Sequence, residues 1–271
     1  MITFKQECLT RHSRFFAHIL LHKDYNTNQL RIMSYLSRIY LKDEHPKDYP
    51  FNLPFLSNGL DLKLKSNVTF FVGENGIGKS TLLEAIAEKC DFNAAGGSRN
   101  HRYDFHKTES GLSDYLTLSW KTKTAQGFFM RAESFFNFAT YIDEVAKEDR
   151  RVLDAYGGKS LHQQSHGEAF LSLFHNHFQN GLYILDEPES ALSPQRQLSL
   201  LSIIHKLEKA GKAQFIISTH SPILMCYPGS EIYLLDDKIQ QTNYKETEHY
   251  QLTKNFLESP EHYFRHLFED Y

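Results

Sequence analysis

The residues Gly73-Glu74-Asn75-Gly76-Ile77-Gly78-Lys79-Ser80-Thr81 fit the pattern G-x-x-x-x-G-K-S/T, the spacing with which a backbone loop wraps a polyphosphate. Three glycines let the chain curl so that successive N–H groups face inward, and a helix opening near Ser80 adds the positive end of its dipole. Lys79 can then reach the β- and γ-phosphates as a point charge, and the Ser80 hydroxyl can ligate a Mg2+ that bridges them. The pattern predicts a site for a nucleoside triphosphate. The alternative, a glycine-rich turn with a surface lysine, would match by chance in about one chain in a hundred of this length.

A second concentration of chemistry lies at Asp186-Glu187-Pro188-Glu189, directly after the apolar run Leu182-Tyr183-Ile184-Leu185. A fully buried strand ending in two carboxylates is costly unless something cationic is bound there. Ser165-His166-Gly167-Glu168 stands at a helix start, ahead of Phe170, Leu171, Phe174 and Phe178 at helical spacing. Thr219-His220-Ser221-Pro222 follows a strand-like run at 214–218. Cys8, Cys90 and Cys226 are far apart and form no C-x-x-C pair, so neither a disulfide framework nor a zinc site is indicated, and a reducing cytoplasm is expected.

The elements that must hold these residues can be read in order. Val68-Thr69-Phe70-Phe71-Val72 is a β-branched and aromatic run that predicts a buried parallel strand before the glycine loop, and Leu82, Leu83, Ala85, Ile86 and Ala87 predict the helix after it. Ile32, Tyr35, Leu36, Ile39, Tyr40 and Leu41 suggest a strand within 31–42, followed by a turn-rich stretch over 43–54. The polar loop 94–102, with Arg99 and Arg102, could touch a phosphate or a partner but is more often simply solvated. Residues 115–122 alternate as a strand, with Trp120 as packing. Beyond Gln126 and Gly127, a helix is expected from Ala132 with Phe135, Phe138, Ile142 and Val145 on one face. Ser193 caps and Pro194 opens another helix, with Leu198, Leu201, Ile204 and Leu207 facing inward and Gly211 ending it. A hairpin strand at 232–237 and two short aromatic-rich helices close the chain.

The 271 residues suffice for a sizeable core, and 41% hydrophobic with 23% charged is ordinary globular composition. A net charge of −3 makes no global case for nucleic acid or acidic lipid, although a local basic face stays open. No run approaches 18 consecutive apolar residues, so no membrane span is expected, although the chain could still dock on a membrane protein. Residues 1–30 read as an N-terminal extension of uncertain order, in which Glu7 and Asp24 weaken a transit-peptide reading. A single domain is expected over 31–271, with a helical subdomain at about 128–180.

In order along the chain, these pieces resemble the ATP-binding cassette (ABC) class of P-loop ATPases, from about Val68 to Leu235. Ser165-His166-Gly167-Glu168 takes the place of the class signature and 182–187 that of the Walker B strand. Ser190-Ala191-Leu192-Ser193 takes the place of the D-loop, and His220 that of the switch histidine. The resemblance implies an α/β P-loop fold, with a mixed, mostly parallel sheet flanked by helices and with antiparallel β and helical subdomains. It further implies that Asp186 holds Mg2+, that Glu187 polarises the attacking water, that His220 hydrogen-bonds the γ-phosphate, and that Gln126 is the Q-loop residue near the metal. Ser165 and the Gly167 N–H would act on the ATP of a second copy stacked head to tail. Tyr49-Pro50-Phe51 lies where cassette ATPases place an aromatic under adenine, although a Pro-flanked aromatic is more often a core staple. Glu168 and the sequence of the glycine loop look more like the SMC and RecF type than like transporters, whereas His166 departs from the usual second glycine. The interval from Lys79 to Asp186 leaves no room for the long coiled coil of SMC-type proteins.

The resemblance thus predicts ATP binding and Mg2+-dependent hydrolysis that drive homodimerisation and a switch coupled to an unidentified protein partner, with DNA maintenance or phage defence as the setting. Two alternatives stand beside it. One is the nucleotide-binding subunit of a membrane transporter, which Glu168 and His166 disfavour; the other is a slow, nucleotide-gated scaffold, which an intact Glu187 and His220 disfavour.

Overall fold

A computed structural model describes residues 35–93, 97, 111–133, 135–163 and 166–268, without the side chains of Ala155, His166 and His177. The chain divides into Met1–Arg31 and Ile32–Tyr271. The expected extension at 1–30, most of the 94–102 loop and Ser165 lie outside the described residues.

The strands are β1 (Leu36–Leu41), β2 (Asp61–Lys63), β3 (Val68–Val72), β4 (Leu116–Trp120), β5 (Gly127–Arg131), β6 (Gly181–Asp186), β7 (Ala213–Ser218), β8 (Glu231–Leu235) and β9 (Ile239–Thr242). A parallel sheet is covered on both faces, so its interior strands are continuous apolar runs. β3, β6 and β7 are buried at every position. They lie in a six-stranded sheet of order β5-β6-β7-β3-β8-β9, parallel until the β8–β9 hairpin at its edge. A separate antiparallel sheet has the order β2-β1-β4.

Successive side chains of a strand point to opposite faces, and the two faces of the large sheet have separate cores. Val68, Phe70 and Val72 of β3 pack with the apolar faces of α2 (Phe135–Glu148), α3 (His166–His177) and α4 (Pro194–Lys209). Phe71 faces the other way, into the core beneath α1 (Lys79–Lys89) and the antiparallel sheet. The first core is rich in aromatic contacts, with Phe128 edge-on to Phe138 at 5.3 Å and Phe178 stacked on Tyr183 at 4.0 Å. Buried Gln214 of β7 joins the two sheets: its Oε1 accepts from the Leu36 N–H at 2.7 Å and its Nε2 donates to the Leu36 carbonyl at 2.9 Å. After β7 come α5 (Pro222–Met225), α6 (Glu248–Glu258) and α7 (Pro260–Leu267).

The architecture is the expected one, with four local differences. Residues 128–131 belong to β5 in the large sheet, so the helical segment begins only with α2. Of the expected inward face of α4, Ile204 is buried and Leu201 and Leu207 pack against the core, but Leu198 is 45% exposed, and Gln197 and Leu200 are buried as well. Gln197 holds an inward position because its amide donates to the Leu192 carbonyl at 3.2 Å and accepts from the Ser221 hydroxyl at 2.5 Å. Ser193 occupies the N-cap of α4 but makes no side-chain capping bond. In Tyr49-Pro50-Phe51 the two rings separate: Phe51 is buried, stacked on His45 and edge-on to Tyr115, while Tyr49 is exposed with its hydroxyl 3.1 Å from Thr81 Oγ1.

Candidate nucleotide-binding site

The parallel register of β3, β6 and β7 brings their C-terminal ends to one edge of the sheet. β3 runs directly into the glycine loop. Gly73 has a φ of +149°, and a Cβ there would strike the Leu235 carbonyl oxygen; Gly78 has a φ of +104°, and a Cβ would lie 2.7 Å from Leu53. Both positions therefore favour glycine on conformation, and Gly73 demands it on space as well, since the obstacle there is backbone. With Glu74, Asn75, Gly76 and Ile77 between them, they form the turn that delivers Lys79, Ser80 and Thr81 to the start of α1.

Lys79 is only 4% exposed, and its Nζ donates to the carbonyls of Gly73 and Glu74, each at 2.9 Å. Burial pushes its pKa down, and the nearby carboxylates of Glu187, Asp186, Glu74 and Glu189 push it back up. The ammonium thus sits inside the curled loop, facing acid from the adjoining strand end.

Asp186 is the last residue of β6 and is buried. Its Oδ1 accepts from the Ser218 hydroxyl at 2.5 Å, its Oδ2 lies 3.4 Å from Arg131 Nε, and Ser80 also hydrogen-bonds it. Burial nevertheless raises its pKa above the ordinary carboxylate value, against the pull of Ser218, Arg131 and Ser80. Glu187 adopts a left-handed backbone, φ +48°, rare for a residue with a side chain. Its N–H is held by the Ser218 carbonyl at 3.1 Å, and its Oε1 lies 3.2 Å from His220 Nε2. His220, just past β7, donates its backbone N–H to Glu189 Oε1 at 2.6 Å. Burial and Lys79 lower the His220 pKa.

Lys79, Ser80, Asp186, Glu187 and His220 therefore converge, and Gln126 does not join them. Gln126 precedes β5, and its carbonyl accepts from the Leu182 N–H at the start of β6. Because Gly127 pairs with Leu182 and Arg131 with Asp186, a strand's length, about 16 Å, separates Gln126 from the acidic end. The residue that β5 brings to the site is Arg131, which also pairs with Glu84 of α1. Glu189 belongs to the acidic cluster seen in the sequence and Ser218 to the run before His220, but nothing in the sequence points to Arg131, Glu84 or His249, since Arg131 meets Glu84 across 47 residues and His249 meets His220 across 29.

Gly167 and Glu168 open α3 elsewhere. A Cβ on Gly167 would meet Arg196 and, at 3.1 Å, the Ala191 carbonyl oxygen, and Glu168 lies 3.3 Å from Arg196. The described contacts of this turn are thus with the segment after β6 and not with the glycine loop of the same chain.

Comparison with known proteins is consistent with this arrangement. Residues 161–225, which contain the acidic strand end and His220, match a family model described as "AAA domain, putative AbiEii toxin, Type IV TA system". No curated protein matches the chain. Among solved structures, the SMC head domain from Thermotoga maritima is similar with a TM-score of 0.44 and 18% identity, over 78% of this chain and 99% of that one. The cbiO1 structure from Clostridium perfringens, part of the ABC transporter complex cbiONQ, has a TM-score of 0.45 and 18% identity over 87% and 100%. An SMC head bound to the C-terminal winged-helix domain of ScpA has a TM-score of 0.46 and 15% identity over 78% and 98%. The chain thus has a mostly parallel sheet with its glycine loop at the end of β3 and paired acids at the end of β6, and over residues 161–225 it is similar to the AAA-domain family.

Proposed function

We propose that the chain binds ATP with Mg2+, hydrolyses it, and uses the cycle to form and open a homodimer that acts on a protein or DNA partner. The observation that carries this reading is the meeting of Lys79, Ser80, Asp186, Glu187 and His220 at one edge of the sheet. The donor set suits Mg2+: a hydroxyl and a carboxylate in hydrogen-bonding contact, oxygen-only, with the carboxylate buried and its charge poorly compensated. Such a site leaves most of the coordination sphere to water and phosphate. When bound, Mg2+ would neutralise charge on the phosphate oxygens.

The chain's own groups do the rest. The N–H groups of 73–81 cradle the phosphates, and Lys79 exchanges its two loop carbonyls for phosphate oxygens. Glu187, fixed by its backbone bond to Ser218, takes the proton of the attacking water, an effect worth about 10²- to 10⁴-fold. His220 donates a hydrogen bond to the terminal phosphate. Tyr49, exposed beside Thr81, is the ring proposed to lie against the base. Ser165 and Gly167 serve the nucleotide of the second copy. The similarity of residues 161–225 to a family named for a toxin–antitoxin system sits better with a defence setting than with transport. Among the described residues no helix is long and apolar enough to cross a membrane.

The test is phosphate release by the full chain with ATP, with Mg2+ or EDTA, alone and with double-stranded DNA. Turnover that needs Mg2+ and falls at least about 100-fold in Lys79→Ala is expected. Turnover unaffected by Lys79→Ala or by EDTA would overturn the reading. Stimulation by DNA selects the DNA partner; indifference to DNA selects the protein partner.

A further inference from the structure

A histidine outside every motif touches the proposed phosphate sensor. His249, in the first turn of α6, places its Nε2 2.7 Å from His220 Nδ1, with the ring centroids 4.6 Å apart and tilted by 58°. The turn that carries it is anchored. Thr247, the N-cap of α6, is buried; its hydroxyl donates to the Tyr244 carbonyl at 2.7 Å and lies 3.7 Å from Met225 Sδ. Met225 belongs to α5, whose N-cap is Ser221, the residue after His220. No residue of α6 itself is buried, so this turn, with Tyr244 packed edge-on to Tyr250, is where α6 is held to the domain. The path from His220 through α5 and Thr247 to His249 closes on itself.

The chemistry of the partners fixes the protons. Two imidazole nitrogens 2.7 Å apart share one proton. On the other side of the ring, His220 Nε2 is buried, lies 3.2 Å from Glu187 Oε1, and completes no hydrogen bond among the described residues. A carboxylate accepts and a bare imidazole nitrogen also only accepts, so neutral His220 carries its proton on Nε2. Nδ1 is then bare, and the donor across the 2.7 Å contact is His249 Nε2–H.

We propose that His249 is a positioning residue for His220, its Nε2–H holding the histidine in the tautomer whose Nε2–H can donate to a terminal phosphate. The proposal rests on the ATPase reading for its consequence but not for its geometry. Without the donor, Nδ1 of His220 is free to take the proton, and a bare Nε2 then faces acceptors on both the Glu187 and the phosphate side.

The experiment uses the full chain as wild type, His249→Phe, which keeps a ring and loses the donor, and His249→Gln, whose amide nitrogen can stand where Nε2 stood. Ring-¹⁵N spectra of histidine-labelled protein without nucleotide should show His220 as the Nε2–H tautomer in wild type and His249→Gln. In His249→Phe, Nδ1–H should be populated. In steady-state hydrolysis, His249→Phe should lower kcat about tenfold with KM changed less than about twofold, the scale of one hydrogen bond made in the transition state. His249→Gln should recover most of that loss. A wild-type His220 found as the Nδ1–H tautomer overturns the proposal, as does a His249→Phe protein with wild-type tautomer and kcat. Equal losses in the Phe and Gln variants would also overturn it. If wild type does not hydrolyse ATP, the ATPase reading fails while the spectra still decide whether His249 sets the tautomer.

Discussion

Glu189 shows how a single buried acid can serve a site at a cost to the fold. One oxygen accepts from the His220 N–H at 2.6 Å, and Oε2 makes no hydrogen bond among the described residues. Burial raises its pKa, Glu187 adds to the rise, and the bonds from His220, its own backbone and Thr219 oppose it. A carboxyl group whose folded pKa lies above its unfolded value stabilises the fold below the unfolded carboxylate range, and that contribution is lost as pH rises through the folded pKa. Glu189→Gln keeps the acceptor and removes the charge. Its midpoint at pH 8 should therefore exceed that of wild type by about 2–4 °C, a shift of about 1 kcal/mol for a domain of this size, and the two should converge near pH 4. Thermal melts at both pH values check this, and a Gln variant that melts lower at pH 8 would show that the charge is not a net cost. The charge is useful all the same, since Glu189 is among the acids that raise the pKa of buried Lys79.

At the scale of elements, Arg131 ties together α1, β5 and β6. It pairs with Glu84 and lies 3.4 Å from Asp186, both of which are buried. Arg131→Met would leave two buried carboxylates without their arginine. Removing one partner of a buried pair costs about 3–5 kcal/mol, and Arg131 is partly exposed, so a loss of about 2–4 kcal/mol is expected. Adding Glu84→Gln should restore only part of it, because Asp186 still lacks its arginine; denaturant unfolding of the single and double variants measures the coupling. Full additivity would show that the three elements are not joined through this arginine. The same elements show what was legible in the sequence. β3 and β6 could be read directly, because a strand covered on both faces must be apolar throughout, and Val68-Thr69-Phe70-Phe71-Val72 and Leu182-Tyr183-Ile184-Leu185 nearly are. Gln126 near the metal is what the resemblance implies, whereas the five residues of β5 carry the chain from Gln126 to Arg131. On α4, Ile204, Leu201 and Leu207 face the core as their spacing predicts, whereas Leu198 does not, and Gln197, polar by type, is buried beside it through bonds to Leu192 and Ser221. Arg131 meets Glu84 across 47 residues, and His249 meets His220 across 29; no periodicity encodes such contacts.

At the scale of the molecule, the site within one chain is incomplete for the chemistry proposed. The glycine loop, Asp186, Glu187 and His220 share the edge of the large sheet, while Gly167 and Glu168 at the head of α3 contact the Ala191–Arg196 side instead. A helix N-terminus with glycine at its opening turn is suited to a phosphate, and a second copy stacked head to tail would present that turn to the nucleotide of the first. Two consequences separate binding from assembly. Glu187→Gln keeps every phosphate-binding group and removes the base, so with ATP and Mg2+ its molar mass should double and return to that of the monomer when EDTA is added. Placing Ser165→Arg on that background should leave nucleotide binding intact, since Lys79 and the 73–81 loop are untouched, but hold the protein monomeric if, as proposed, Ser165 serves only the nucleotide of the second copy. Mass by light scattering, beside binding of a fluorescent ATP analogue, reads both effects in one sample. A Glu187→Gln protein that stays monomeric at saturating ATP and turns over like wild type would remove both the base and the dimer. A dimer that survives Ser165→Arg would place the interface elsewhere on the chain.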